Sequence, residues 1–533
     1  MSISTRSVAT FAGLVMAGVM STVLADPPGR VGRISYATGD VAFQNTHNGE
    51  SDAAQVNWPV TTQNVISTGP NGRAEVRIGS TAIRLDDDTE IEFSRLDDDQ
   101  IRIRLLAGRM ALRVKSRDTV PELEIRTPHG RVYFEEVGRY RFDTRGERDA
   151  TGITVHQGIA KLDTGHGAMV IPAGRRTEVS VLAGNVDSRS MEALRDAFDD
   201  WNLARDRRDD NTRSVRYVSA EMTGYDDLDE HGDWREVAEH GPVWVPHARS
   251  VPADWAPYRW GRWAWVEPWG WTWVDSAPWG FAPFHYGRWV HFGSYWAWAP
   301  GAIAPRPVYA PALVGWIGHP GASVSLSIGP SVGWFPLAPR EVYYPSYTSS
   351  VVYIRRINMT HVHNVSVIHQ RPHDSHREHR RYHHAGAAHA ITMVPENVLA
   401  GGRHVTPTIA MTREHRVALP ISNAPTLHAP PRPVVLPGRL HASPVARDET
   451  PHGHPAFQGR RDCPGTRLPS SHRSSKWRQF INRRQYGMRF QRRSNDLNRR
   501  DSSSLASNNH VWNSSVWNSS ANSAARHGST RRA

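Results

Sequence analysis

The sequence predicts a mainly β protein with a β-sandwich or short β-roll, one linking helix, a tryptophan-rich domain of short strands and a disordered basic C-terminal tail. Residues 30–181 contain many short runs in which apolar and charged residues alternate, separated by glycine, aspartate and asparagine turns. Residues 243–301 hold twelve of the twenty tryptophans and neither leucine nor isoleucine. From about residue 406 the chain is rich in proline, arginine, serine and asparagine, a composition typical of segments that build no core.

The composition bounds the architecture but does not select a partner. The 533 residues suffice for two or three domains with tails. The net charge is +12, and the excess of arginine follows residue 370. A basic tail of this kind can contact nucleic acid, anionic lipid or acidic polysaccharide through charge alone. The single cysteine, Cys463, excludes an intrachain disulfide and a cysteine-based metal site.

Residues 1–25 have the pattern of a signal peptide. Arg6 supplies a positive charge, Val8–Met20 is apolar, and Val23-Leu24-Ala25 is a small-residue cleavage site. The alternative is an uncleaved anchor, but the apolar run is short for a membrane span. No cysteine follows the cleavage site, which argues against a lipoprotein. We therefore expect a periplasmic protein, or one at the cell surface or secreted, that has no transmembrane span and does not meet nucleic acid.

Residues 26–185 form the first predicted domain. Runs such as Ala74–Ile78 and Ile101–Leu106 largely alternate, and glycines separate successive runs. Because no helical pattern interrupts them, these strands favour a sandwich or a short roll. The clusters Asp86–Asp88 and Asp97–Asp99 have no calcium-loop spacing, so we interpret them as solvated hairpin turns.

Six short motifs in this domain follow one another in the order typical of FecR-type domains. They are Gly39-Asp40-Val41, Asn71–Val76, Ile83-Arg84-Leu85, Leu106–Met110, Ile125–Pro128 and Val155–Gly158. On these motifs, the domain resembles the FecR family. The resemblance implies a periplasmic domain that relays a receptor signal to an inner-membrane partner. This chain departs from that architecture, because we expect neither an anti-sigma segment before the domain nor a membrane span.

Residues 186–212 contain the predicted linking helix, which we place at Asp187–Asp206. Met191, Leu194, Phe198 and Trp201 recur at three- and four-residue steps and form an apolar stripe. Charged residues fill much of the other face. We expect the apolar stripe to dock against a neighbouring domain.

Residues 213–345 form the predicted tryptophan-rich domain, which contains an internal repeat. Ala256–Trp263 aligns with Ala282–Trp289 at an offset of 26 residues. Tryptophans also occur in pairs spaced by two, which places both rings on one face of a strand. These pairs are Trp263 with Trp265, Trp271 with Trp273, and Trp296 with Trp298. The pattern predicts a duplicated β unit whose copies bury each other's rings.

A second set of motifs surrounds this repeat. Gly224–Leu228, Gly232-Asp233-Trp234 and Gly241–Pro246 come before it, and Val332–Tyr343 and Met393–Val398 follow it. In this order they resemble a family of exported Gram-negative proteins that join a FecR-like domain to a tryptophan-rich domain of unknown function. The resemblance covers about residues 26–405. It implies an architecture and no activity.

The remaining chain is predicted to contribute no site. Residues 346–405 combine a β segment with a histidine-rich run, His361–His389, in which arginines are interspersed. We interpret that run as a solvated polar linker and expect no physiological metal site. Residues 406–533 are predicted to be a disordered basic tail.

The leading functional hypothesis is a non-enzymatic exported protein that binds an envelope polysaccharide, peptidoglycan or a periplasmic protein. Rings near turns can stack on sugar faces or cations. The candidate ligand-binding residues are Trp255, Tyr258, Trp260, Trp269, Trp279 and Tyr286. For each of them, the alternative is a place in the core.

Two other functions stay open. One is a cell-envelope signalling or regulatory module that acts through the FecR-like domain. The other is a hydrolase of envelope glycans, for which Glu267, Asp275 and His285 are available. Their spacing is not diagnostic of any catalytic arrangement, so we assign no catalytic residue, metal or cofactor.

Overall fold

The computed structural model describes residues 26–45, 51–144, 149–317, 324–326, 329–362, 382–405, 421–425 and 427. The predicted signal peptide and most of the predicted tail lie outside these residues. In the described part, strands dominate, as the sequence predicts. Among the described residues, no helix is long and apolar enough to span a bilayer.

The FecR-like region is a sandwich of two nine-stranded sheets. Its strands are Gly32–Thr38 (β1), Val41–Asn45 (β2), Ser51–Ala53 (β3), Pro59–Val60 (β4), Asn64–Thr68 (β5), Arg73–Ile78 (β6), Thr81–Leu85 (β7), Thr89–Leu96 (β8), Ile101–Ala107 (β9), Arg109–Val114 (β10), Leu123–Thr127 (β11), Gly130–Phe134 (β12), Gly138–Asp143 (β13), Thr151–Gln157 (β14), Ile159–Asp163 (β15), Ala168–Pro172 (β16), Arg175–Leu182 (β17) and Asn185–Glu192 (β18). The first sheet has the order β18-β17-β14-β13-β10-β7-β6-β1-β4. The second has the order β16-β15-β12-β11-β9-β8-β5-β2-β3.

The alternating pattern places aliphatic side chains between the two sheets. Successive residues of a strand point to opposite faces, so every second residue faces the core between the sheets. Ile83 of the first sheet and Ile103 of the second are both fully buried in this core. Each such side chain contributes about 1.5–3 kcal/mol relative to leaving it exposed. The charged residues lie on the outer faces of the two sheets. They are arranged differently on each sheet.

The two aspartate clusters differ in their surroundings. Asp97 lies in the β8–β9 hairpin and accepts hydrogen bonds from the backbone amides of Asp99 and Gln100 at 3.0 and 2.9 Å. Asp86, in contrast, is buried and forms ion pairs with Arg73 at 3.2 Å and Arg109 at 2.5 Å. The prediction of a solvated turn is therefore wrong for Asp86.

The linking helix starts ten residues later than predicted, at Ala197–Asp210 (α1). Residues 187–192 belong to β18, which pairs with β17 along its whole length. Asp196 caps α1 by accepting from the amides of Phe198 and Asp199. Leu194 precedes the helix and is 78% exposed, so the predicted apolar stripe is wrong at its first two positions.

The tryptophan-rich module is built from short strands and helical turns. Its strands, with those of the following segment, are Gly232–Val237 (β19), Gly241–Pro246 (β20), Gly261–Val266 (β21), Gly270–Asp275 (β22), Arg288–His291 (β23), Trp296–Ala299 (β24), Val314–Ile317 (β25), Val324–Leu326 (β26), Gly329–Pro336 (β27), Thr392–Pro395 (β28) and Ile421–Ser422 (β29). The helices are Leu228–His231 (α2), Ala282–His285 (α3), Val351–Asn358 (α4) and Glu396–Ala400 (α5). Three sheets result: β19-β20-β24-β23, the hairpin β21-β22, and β26-β27-β25-β29 with β28 on β27.

The two copies of the internal repeat differ in local structure. The first copy enters hairpin strand β21, whereas the second contains α3 and enters β23 of another sheet. They nevertheless meet in the core, because the rings of Tyr258 and Phe284 contact edge to face at 5.0 Å. These residues occupy the same position in the two copies. The expectation that the copies bury each other's rings holds at this pair.

The segment after the module is more ordered than the sequence suggests. His361 and His384 are buried, and His384 Nδ1 lies 2.9 Å from the carbonyl oxygen of Pro336. The prediction of a solvated linker is therefore wrong at these two residues, while residues 363–381 lie outside the described part. Ile421 and Ser422 pair with β25, which corrects the prediction of disorder there.

Candidate binding surfaces

The module is filled by indoles. Seven tryptophans lie among the largest fully buried side chains: Trp244, Trp263, Trp273, Trp279, Trp289, Trp298 and Trp334. We call these seven the indole core. Several donate their N–H to backbone carbonyls, such as Trp289 to Pro283 and Trp298 to Tyr286 at 2.9 and 2.8 Å. Where the indole N–H is paired in this way, most of the cost of burying it is removed, whereas the N–H groups of Trp263 and Trp279 are buried without a hydrogen-bond partner.

Most of the six predicted ligand-binding rings belong to the interior. The exposure expected for Tyr258, Trp269, Trp279 and Tyr286 is wrong, because all four are buried. Trp255 and Trp260 are partly exposed. Trp255 packs edge to face on Trp279 at 5.7 Å and on Trp289 at 5.4 Å. The turns that carry these residues fold inward, so a place near a turn does not imply a place at the surface.

Among the described residues, the most exposed indole lies at the end of hairpin β21–β22. Trp265 is 43% exposed, and its ring meets that of Trp271 at 5.6 Å and 87°. Its N–H donates to Glu267 Oε1 at 2.7 Å. Gly270 has a φ of +81°, and an added Cβ would stand 3.1 Å from the Trp265 ring. The ring is therefore held in one orientation with much of its surface in water.

Each of the three residues considered for hydrolysis has a structural partner of its own. Asp275 is buried and accepts from the Trp273 indole and the Ala277 amide, each at 2.9 Å. His285 is buried with Nδ1 2.8 Å from the Ala310 carbonyl oxygen. Burial raises the pKa of Asp275 to about 7 and lowers the pKa of His285 to about 3. Glu267 is exposed and holds Trp265.

The described residues contain no group of three or more His, Cys, Asp or Glu that would hold a metal ion. The buried carboxylates of this part of the chain have arginine, indole or amide partners. Their arrangement serves structure.

The outer face of the first sheet is covered by α1. Arg84 of β7 pairs with Glu75 at 2.6 Å and with Asp206 of the helix at 2.7 Å. Arg141 of β13 pairs with Asp199 at 2.8 Å. Arg205 of α1 also forms an ion pair with Glu75, at 2.7 Å. The helix thus docks through carboxylates and guanidinium groups.

The same network extends to the tryptophan-rich module. Arg33 of β1 pairs with Asp227 at 2.5 Å, and its guanidinium also donates to the Pro278 carbonyl at 2.6 Å. Asn57 donates to the carbonyl oxygens of Asp275 and Ala277 at 3.0 and 2.7 Å. These bonds fix the sandwich, α1 and the module as one body.

Charge compensation in the network is visible at Glu75. Burial alone would raise the pKa of this carboxyl, but Arg77, Arg84 and Arg205 together hold it well below its usual value. The pKa of Asp196, at the start of α1, is likewise lowered to about 2, because the charge of Arg141 outweighs the effect of partial burial. At Glu75 and Asp196 the neighbouring arginines therefore favour the ionised carboxylate.

In the part of the chain that the structure describes, the outer face of the second sheet carries partly exposed arginines. Arg104, Arg126 and Arg131 stand in register on the adjacent strands β9, β11 and β12, and Glu92 and Asp163 continue the row at its two ends. Arg104 pairs with Glu92 at 2.8 Å and Arg131 with Asp163 at 2.9 Å. We call Arg104, Arg126 and Arg131 the arginine row. Roughly half of the Arg104 and Arg131 side chains stays exposed.

Neither charged face was predicted from the sequence, although signals existed. Asp199, Asn202, Asp206 and Asp209 follow steps of three and four and form a polar stripe on α1. Charged residues alternate with aliphatic residues in β9 and β11, which places Arg102 and Arg104 of β9, and Glu124 and Arg126 of β11, on one face. Only the pairing of the strands brings the three residues of the row together.

Comparisons with known proteins agree with the domain combination. The FecR protein family matches residues 64–161, which lie within the sandwich. A family of unknown function designated DUF6600 matches residues 225–341, which cover most of the tryptophan-rich module. The chain therefore joins a FecR-like domain to a domain of unknown function, as the motifs indicate. A comparison with curated proteins finds no match.

Two solved structures of a candidate anti-sigma factor from Parabacteroides distasonis are similar to part of the chain. They were determined at 1.65 and 2.50 Å and are 16% and 17% identical to it. Each match covers 24% of this chain and 60% of the other, with a TM-score of 0.22. The chain thus spans about three fifths of that protein's length.

Proposed function

We propose that this chain is an exported, non-enzymatic regulatory protein of the cell envelope that binds a protein partner through the open face of the second sheet. The FecR match on the sandwich supports the regulatory role. The observation that carries the proposal is the arginine row, which leaves three guanidinium groups side by side on an uncovered face. Export rests on the signal-peptide pattern of residues 1–25.

The row has a cost for the isolated protein. Like charges directly opposite each other on neighbouring strands destabilise a sheet. Glu92 and Asp163 compensate the two outer arginines, and Glu124 pairs with Arg126 between them. These pairs are partly exposed, so each contributes about 0–1 kcal/mol. An acidic partner surface would relieve the repulsion, steer association through charge and fix the register of docking.

Site-specific crosslinking tests this surface. Tyr133 of β12 lies beside the row and is partly exposed, so a photoreactive residue there should crosslink a discrete partner in intact envelopes. In the matched control, the photoreactive residue replaces Arg189, which lies on the exposed edge strand β18 of the first sheet. A partner captured from position 133 and not from 189 supports the proposal. Equal capture from both positions, or none from either, overturns it.

Trp265 supports a second candidate function, the binding of a glycan. A pyranose ring can stack on a fixed indole face while a hydroxyl donates to the adjacent Glu267 carboxylate. Peptidoglycan fragments titrated against the protein should bind the wild type and lose affinity for Trp265→Ala. Tyr295→Ala is the control, because Tyr295 is 36% exposed on another loop. Equal binding by both variants would exclude this site.

A further inference from the structure

The buried face of α1 is polar. Of its five buried residues, only Phe198 is apolar; the others are Asp199, Asn202, Asp206 and Asp209. A surface helix ordinarily docks through an apolar stripe. Here Asp206 accepts from Arg84 at 2.7 Å and from Arg139 at 2.8 Å, and Asp209 pairs with Arg77 and Arg84. Ion pairs, rather than hydrophobic burial, hold most of this helix in place.

The sheet face beneath α1 is a basic surface in its own right. Seven arginines stand on this face, on the four neighbouring strands β6, β7, β10 and β13: Arg73, Arg77, Arg84, Arg109, Arg113, Arg139 and Arg141. On the same face Glu75 and Asp143 are the carboxylates that these strands contribute. Without the three buried aspartates of α1, Asp199, Asp206 and Asp209, the arginines would outnumber those two carboxylates. Buried cations without partners cost several kcal/mol, so this face requires an acidic cover.

The fit of α1 on this face is incomplete. A cavity of about 40 Å³ remains between helix and sheet, lined among others by Arg113, Arg141, His156 and Asn202. The Asn202 Oδ1 atom is buried there without a hydrogen-bond partner. Arg113 Nε stands 3.9 Å from Asp206, too far for a hydrogen bond. Polar atoms that are buried and unpaired favour an occupant that would pair them.

The N-terminal hydrogen bonds of α1 are satisfied within the helix itself. Asp196 and Asp199 form a capping box within α1, and Arg141 of β13 pairs with both carboxylates. Leu194 and Arg195, which connect β18 to this cap, are exposed. A short exposed connection therefore separates the edge strand from the helix.

We infer that the outer face of the first sheet is a binding surface for an acidic helical polypeptide segment, and that α1 is its internal occupant. This goes beyond the proposed function, which concerns the opposite sheet. The spacing of Asp199, Asn202, Asp206 and Asp209 specifies the ligand: a helix with carboxylates at steps of three and four. An acidic segment that also pairs Arg113 and fills the cavity would compete with α1.

The test uses the chain from residue 26 with Asp206→Asn and Asp209→Asn together, which weaken the attachment of α1. A labelled peptide with the sequence of residues 196–211 is titrated by fluorescence anisotropy. We expect the double variant to bind it at least tenfold more tightly than the wild type, and Arg84→Gln in that background to remove the gain. Asp200→Asn is the control, because Asp200 lies on the exposed side of α1.

Hydrogen exchange separates undocking from unfolding. In the double variant, amides of α1 should exchange faster while those of β7 and β13 stay protected. Loss of protection in β7 and β13 would mean that α1 is an integral part of the sandwich, which overturns the inference. An undocked helix without a gain in peptide binding would also overturn it. If the double variant bound heparin as tightly as the peptide, the surface would be a nonspecific site for polyanions. That result would contradict a helical polypeptide as the ligand.

Discussion

The hydroxyl of Tyr258 donates a hydrogen bond of 2.8 Å to the carbonyl oxygen of Phe284. The two residues occupy the same place in the two copies of the internal repeat, 26 positions apart. The hydroxyl also accepts from the Leu313 amide at 3.1 Å. One buried phenol therefore joins both copies and the segment that leads into β25.

Tyr258→Phe should destabilise the module by roughly 1–3 kcal/mol. The ring and its packing remain, but the Leu313 amide and the Phe284 carbonyl are left buried without this partner. Urea unfolding followed by tryptophan fluorescence measures the change. Tyr295→Phe, at an exposed ring, should stay within about 0.5 kcal/mol of the wild type. Equal effects would contradict the role of the hydroxyl.

Trp263→Ala should cost about 3–5 kcal/mol, because a fully buried indole is lost and leaves a cavity. Trp263 contacts Trp273 at 5.4 Å and Trp316 at 4.5 Å. Trp265→Ala, two residues along the same strand, is the matched control and should cost much less. Thermal unfolding of both variants compares the stability lost at a buried and at an exposed tryptophan of the same strand, β21. Similar losses would show that the indole core does not carry the stability.

Glu75→Gln should cost roughly 3–5 kcal/mol, because it leaves buried guanidinium groups without their shared carboxylate. The pKa of Glu75 is lowered, so its stabilisation is present above the unfolded value and is lost as pH falls through the folded one. Acid unfolding of the variant should show a weaker dependence on pH below 4.5. Glu92→Gln, at a partly exposed pair, is the control.

The module should lose stability as pH rises through about 7. Burial raises the pKa values of Asp275 and Glu341 to about 7, so their neutral forms favour the folded state. Their contribution to stability is fully present below the ordinary pKa values of 3.8 and 4.5. It is lost as the pH rises and the two groups ionise in the folded state. Asp275→Asn should flatten the profile between pH 5 and 8, as measured by urea midpoints. An unchanged slope would exclude Asp275 as the source.

Stability should also fall on the acid side, through His384. Burial lowers the pKa of His384 to about 4, and His383, His389 and His291 act in the same direction. The contribution of neutral His384 to stability is present above pH 6.5 and is lost as the pH falls towards 4. His384→Asn keeps a donor for the Pro336 carbonyl and should reduce this loss. A steeper acid limb in the variant would contradict the assignment.

Alternation could predict the sandwich because both sheets bury one complete face, as Ile83 and Ile103 illustrate. It could not place the start of α1, because β18 is an edge strand with mostly exposed residues. Its pairing is set by a turn at Ala183 and Gly184, which both have positive φ. An apolar stripe was expected on α1, whereas the docked face is charged, so periodic hydrophobicity indicated the wrong helix bounds.

The candidate site was predictable only in part, for a different reason. Indoles at a spacing of two correctly indicated strands with rings on one face. Their exposure depends on which strands pack over them, so Trp263 is buried while Trp265, on the same face of β21, is not. The arginine row depends on a parallel pairing of β9 with β11, which joins residues 22 positions apart. Sequence alone gives no sign of that register.

The most direct test of the proposed function is affinity capture from intact envelopes with the arginine row reversed. The wild-type chain from residue 26 and Arg189→Glu should retain the same protein partner. The triple variant Arg104→Glu, Arg126→Glu and Arg131→Glu should lose it while the sandwich stays folded by circular dichroism. If the folded triple variant captures the same partner as the wild type, the open face of the second sheet is not the binding surface and the account is wrong.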